Sequence, residues 1–127
     1  MTGDYFYMND REIQVPQSGE HLIREFSVPA GEMLDLTVNI TSAENGKNNA
    51  LWLRLYQDDV LVATSIDDGD GKDDNASVAM LFKRTMTQNS TFKIKVAGGS
   101  GVRKIPRTQL QIGYKTYGAG HDLTVLN

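Results

Sequence analysis

Two histidines, sixteen acids and no cysteine bound the chemistry open to this chain of 127 residues. His21 and His121 lie far apart in sequence with no motif around either. His121-Asp122 beside a serine would supply two members of a triad, but no nucleophile elbow or oxyanion loop accompanies the pair. Both histidines therefore read as surface polar residues, and no catalytic residue is expected. The absence of cysteine excludes a thiol nucleophile, a cysteine-ligated zinc or iron–sulfur site and a disulfide framework.

Metal chemistry points to one segment. Asp67, Asp68, Asp70, Asp73 and Asp74 place hard oxygen ligands close together, with Asn75 beside them and glycines at 69 and 71. Calcium takes about 6–8 such oxygens in a flexible cage, so this loop is the candidate calcium site. It is not an EF-hand. Counted from Asp68, the required glycine would fall on Asp73 and the closing glutamate on Ala79. The competing reading is a solvated loop held extended by its like charges. No other cofactor is expected.

Gly98-Gly99-Ser100-Gly101 lacks the spacing and the following helix of a phosphate loop, and reads as an inter-strand loop. It opens a basic loop that carries Arg103 and Lys104 and ends at Pro106, with Arg107 next to it. Nucleic-acid binding calls for a larger basic field with stacking aromatics, and the chain is acidic overall, with a pI near 5.3. No nucleic-acid partner is expected.

Trp52, Arg54 and Tyr56 share one face if residues 51–57 form a strand. Trp52 and Tyr56 would then stand roughly 13 Å apart. Such a pair can stack two sugar rings. It can also anchor a protein interface, where Trp, Tyr and Arg dominate the binding energy. The plain alternative is that this face packs under a loop or under the N-terminal segment.

The elements that would position these residues are strands. In 33–40, Leu34, Leu36, Val38 and Ile40 alternate with Met33, Asp35, Thr37 and Asn39. This period of two buries one face of a strand, whereas a helix would scatter the same residues around its axis. Further strands are expected at 13–15, 21–28, 51–57, 60–66, 76–83, 91–96 and 109–117. Within 21–28, Leu22, Phe26 and Val28 share a side that Arg24 interrupts. LWLRLYQ-DD-VLVATSI is a hairpin turning on Asp58-Asp59, and Pro29-Ala30-Gly31-Glu32 and Asn45-Gly46 mark further turns. A short apolar tail, with Leu123, Val125 and Leu126, closes the chain. About eight short strands with no repeat and no helical stripe predict an all-β, two-sheet antiparallel sandwich, a jelly roll.

The division expected is an N-terminal aromatic arm over 1–12 and one sandwich domain over 13–127. Tyr5, Phe6, Tyr7 and Met8 form the arm's apolar cluster, which needs cover from its own domain or from a neighbour. The start MTGDYFYMNDREIQ has neither the basic lead nor the apolar run of a secretory signal, and no segment approaches the ~20 apolar residues of a membrane span. No membrane partner is expected. Asn-X-Ser/Thr triplets begin at Asn39, Asn75 and Asn89, and chance accounts for them in so Asn-, Ser- and Thr-rich a chain. Residues 1–74 hold 15 acids and 5 bases, net -10, while 75–127 hold 1 acid and 8 bases, net +7. Strands from the two halves either interleave and average this polarity, or leave a two-signed surface suited to docking.

The segments LWLRLYQDDVLVATS, ASVAMLFKRT and STFKIKVAGGSG resemble the late strands of small jelly-roll modules in phage structural proteins. The resemblance covers roughly residues 20–117 and rests on pattern and turn chemistry. It implies a virion protein assembled in a host cytoplasm. The role implied is capsid decoration (cement) or a tail accessory domain, usually dimeric or trimeric, bound to a major capsid or tail protein. It carries over no site residue. The expectation is a non-enzymatic structural protein, with a carbohydrate-binding module or receptor-binding tip as the alternative. The interface residues expected are Tyr5, Phe6, Tyr7, Trp52, Arg54 and Tyr56, with Arg103, Lys104 and Arg107 at the rim.

Overall fold

The structure, a computed structural model, describes residues 3–15, 19–45, 50–67, 76–98 and 102–118. The described residues form ten strands: β1 Gly3–Met8, β2 Ile13–Val15, β3 His21–Val28, β4 Glu32–Asn45, β5 Leu51–Gln57, β6 Val60–Asp67, β7 Ala76–Thr85, β8 Ser90–Gly98, β9 Val102–Ile105 and β10 Leu110–Gly118. One sheet runs β3-β8-β5-β6. The other holds six strands that lie four deep, because two pairs run end to end. β1 and β2 lie along β10 and β9, which in turn lie along β4, and β7 covers the opposite side of β4. Counting each end-to-end pair as one strand leaves eight in two four-stranded antiparallel sheets. The chain crosses repeatedly between them, and the fold is the expected all-β jelly roll.

Alternation explains the core. Leu34, Leu36, Val38 and Ile40 face inward from β4, Leu51, Leu53 and Leu55 from β5, and Phe92, Ile94 and Val96 from β8. Each contributes about 1.5–3 kcal/mol of burial before entropy is charged against it. An aromatic stack ties the sheets together. Tyr5 lies on Tyr114 at 4.7 Å, Tyr114 on Phe26 at 4.2 Å and Phe26 on Phe92 at 5.5 Å, and Phe82 meets Phe92 edge-on at 6.0 Å.

Beyond shifts of one or two residues at strand ends, the strands depart from the sequence expectation at three places. The 33–40 strand is longer because β4 pairs with β10 over 32–40 and then with β9 over 43–45. The expected basic loop contains β9, whose short ladder is sandwiched between β2 and β4. Residues 3–8 of the expected arm form β1, paired with β10 from Gly3↔Thr116 to Met8↔Gln111. Within β3, a bulge at Ile23 resets the alternation. Leu22 is consequently exposed and Ile23 packs on the core. Arg24, which interrupts the apolar side in sequence, places its guanidinium over the Tyr7 ring at 4.7 Å.

The end-to-end breaks coincide at one corner, and Asn9 fills it. Its side-chain amide donates to Arg11 O at 2.8 Å and Pro106 O at 2.9 Å, and its carbonyl accepts from Leu110 N at 2.9 Å. Its backbone carbonyl also accepts from Thr108 N, where φ is +71° in the turn between β9 and β10. Asn9 is 1% exposed, and its loss would leave the buried Leu110 N–H without its acceptor and open a void at the corner. Asn9→Ala is expected to cost about 3 kcal/mol in denaturant unfolding with an unchanged m-value. A loss below about 1 kcal/mol would show that backbone bonds alone hold the corner.

Candidate functional site

The outer face of the four-stranded sheet carries the most organised cluster of side chains. Register places Trp52 between Ala97 and Ile66, Arg54 between Lys95 and Thr64, and Tyr56 between Lys93 and Leu61. β3 adds Leu22 beside Lys95 and Glu25 beside Lys93. The β5–β6 turn has Asp58 and Asp59 both at positive φ, +50° and +66°, as a two-residue hairpin with the right-handed strand twist requires. The turn is pinned to β8: Asp58 bonds the Thr91 backbone N–H at 2.9 Å, and Asp59 pairs with Lys93 at 2.9 Å.

Glu20, just ahead of β3, organises the centre of this face. One of its oxygens accepts from the Tyr56 hydroxyl at 2.6 Å and from Arg54 at 3.0 Å. Its other oxygen stands 4.0 Å from Lys95 Nζ. Lys95 in turn lies over the Tyr56 ring at 4.8 Å. Arg54, Tyr56 and Lys95 are thus held in place beside a half-buried Trp52. The Tyr56 hydrogen bond, with Arg54 behind it, keeps the Glu20 carboxyl below its ordinary range, and the same bond raises Tyr56. Lys93 lowers Asp59 and is raised by it in turn.

Trp52, Arg54 and Tyr56 share this face, as their spacing predicts. The other residues singled out in the sequence lie elsewhere. Tyr5 and Tyr7 turn inward from β1 onto Tyr114 and Arg24, while Phe6 and Met8 turn outward on the other sheet. Lys104 lies on β9 and pairs with Glu12 at 3.7 Å, and Arg107 is exposed at the β9–β10 turn. The backbone of Arg103 belongs to β9, between Val15 and Glu44. Asp67 ends β6 and accepts from Ser77 N at 3.0 Å. Asp68, Asp70, Asp73, Asp74 and His121 lie outside the described residues, as does the apolar tail. Among the described residues no group of three His, Cys, Asp or Glu side chains is arranged to hold a metal.

Sequence reasoning missed Glu20. No motif marks it, and it lies more than thirty residues from Arg54 and Tyr56, the two residues it binds. Because folding lowers its proton affinity, Glu20 adds stability above its unfolded value and loses it as pH falls through the lower folded value. Glu20→Gln is therefore expected to lower stability at neutral pH by less than about 1 kcal/mol, as for exposed pairs. The gap to the parent chain should close as pH falls through and below the ordinary carboxylate range. A gap that persists undiminished in acid would assign the effect to packing.

No protein-family model matches this chain, and no curated protein matches it. Solved structures do. The Eiger TNF from S. frugiperda superposes with a TM-score of 0.64 at 11% identity, covering 93% of this chain and 92% of that one. VP2 in the subviral particle of infectious bursal disease virus superposes with a TM-score of 0.63 at 14% identity, covering 99% of this chain and 35% of that one. The structure of the Gx strain of that virus gives 0.60 at 14% identity, over 94% of this chain and 33% of that one. The chain spans about a third of the length of these viral proteins, and at such identities the likeness is one of fold.

Proposed function

We propose that this chain is a non-enzymatic structural protein of a virus particle, of the capsid decoration or cement type, which associates with itself and clamps a larger shell. The observation that carries the reading is the prebuilt face around Trp52. Interface energy concentrates in Trp, Tyr and Arg side chains that are already immobilised, because little entropy is lost when a partner arrives. Glu20 performs that immobilisation for Arg54 and Tyr56. The fold shared with VP2 in a subviral particle supports a place in a particle and leaves the role of each residue to this chain's own surface.

Carbohydrate binding is the weaker alternative on this face. A stacking platform needs open ring faces, and Lys95 occupies one side of Tyr56 while Glu20 holds its hydroxyl. The chain has one tryptophan, so its fluorescence reports this face directly.

Trp52→Ala should fold with a melting temperature close to the parent's and fail to co-sediment with purified particles of the virus that carries the protein. Retained co-sedimentation would remove Trp52 from the shell contact. A saturable Trp52 fluorescence change with oligosaccharides, without particle attachment, would replace the structural reading with the sugar-binding one.

A further inference from the structure

The outer face of the six-stranded sheet carries a pattern of its own. Across β1-β10-β4-β7, one row reads Asp4, Lys115, Asp35, Lys83. The next reads Phe6, Gly113, Thr37, Leu81, and the one after reads Met8, Gln111, Asn39, Ala79. Phe6 is 69% exposed and Leu81 82%, the largest exposures among the big apolar side chains described. The four charges of the first row form no ion pair within 4.0 Å among the described residues, unlike Glu20 and Asp59 on the opposite face.

From this pattern we infer that a second copy of this chain covers the face, sheet against sheet, about a two-fold axis running along the strands midway between β10 and β4. The inference rests on the self-association proposed above and assigns the surface that carries it.

Such an axis reverses each row onto itself. Asp4 then meets Lys83 of the second copy, and Lys115 meets Asp35 of the second copy. Phe6 meets Leu81, Met8 meets Ala79, and Gln111 meets Asn39. The hollow of about 260 Å³ over Gly113 lies opposite Thr37, so no bulky group is forced into it. One row further on, Tyr117 meets Met33. Moving the axis onto β10 would set Asp4 against Asp35 and Lys115 against its own copy. Moving it onto β4 would set Lys115 against Lys83. Like charges face each other in both, at a cost of several kcal/mol, so the charge row selects the central axis.

An isologous contact of this kind is the common form for homodimers. Two twisted sheets would cross at about 30°. Under this axis β1 overlaps β7 over six residues and β10 overlaps β4 over nine, a face on the order of 480 Å². Two such faces bury roughly 950 Å² together, the size of a weak, concentration-dependent contact.

The test uses the full chain with Lys115→Asp and Asp35→Lys made separately. Light scattering should show a dimer for the parent and, at the same concentration, monomers for each variant. Each variant should weaken the dimer about a hundredfold or more. Mixing the two variants should restore a dimer, because the carboxylate introduced by Lys115→Asp in one copy then faces the ammonium introduced by Asp35→Lys in the other. That recovery also demonstrates that both variants are folded. If both variants stay dimeric, this surface is wrong while self-association stands and moves elsewhere. A monomeric parent at high concentration would overturn this interface and the self-association in the proposed function together.

Discussion

The hydrogen-bonding of Asn9 is the constraint on which the rest of the sandwich depends. β1 stops at Met8 and β2 starts at Ile13, while β10 starts at Leu110 and β9 stops at Ile105. Where both strands break, the buried Leu110 N–H takes its acceptor from Asn9, and Pro106 O, already bonded to Gln109 N, takes a second donor from it. An asparagine supplies an acceptor and two donors from one short side chain, which is the set needed there. With the corner closed, β1 and β2 stay in one sheet with β10 and β9, and β4 pairs with β10 along most of its length and with β9 at its end. The β1–β10 register sets Tyr5 on Tyr114, the first step of the aromatic stack that joins the sheets.

The uneven distribution of charge along the chain is resolved by topology. The jelly roll lays strands of the acidic first half against strands of the basic second half: β1 on β10, β4 on β7, and β3 and β5 on β8. On the six-stranded sheet a polarity of -10 and +7 along the sequence thus becomes an alternation of sign from strand to strand. On the four-stranded sheet the charges are settled within the chain, with Glu20 taking Arg54 and Asp59 taking Lys93. On the six-stranded sheet Asp4, Lys115, Asp35 and Lys83 follow one another without ion-pair contact among the described residues. One face therefore presents ion-paired side chains around Trp52, with Leu22, Leu61 and Ile66 exposed among them. The other presents charges outside ion-pair contact among the described residues and the still more exposed Phe6 and Leu81. Two such faces suit the two kinds of contact in the proposed role, one with a second copy and one with a larger shell.

Strand interiors were legible in the sequence because side-chain alternation is a local property that burial enforces. Residues 21–28 and 51–57 have the bounds their pattern predicts, and Trp52, Arg54 and Tyr56 share the face their spacing assigns. The Asp58-Asp59 turn was legible for the same reason, since a two-residue connection between alternating runs admits few geometries. Where a bulge inserts a residue, as at Ile23, the local pattern misleads, and Leu22 faces out instead of in.

What the sequence by itself determined is the class of fold and most of the inward residues. The tertiary structure decided which strands became neighbours, and through that which distant residues meet at the functional surfaces. β9 hides in a basic, glycine-flanked stretch because only its position between β2 and β4 makes it a strand. Tyr5, Phe6 and Tyr7 are one cluster in sequence but two faces in space, because β10 draws them into a ladder. Glu20 meets Arg54 and Tyr56, and Asp35 stands beside Lys115, only after long loops close between distant strands. Hydrophobic alternation is read within a few residues, whereas charge pairing is set by strand order. That order is a property of the whole chain, fixed by the corner, the core and the two sheets together.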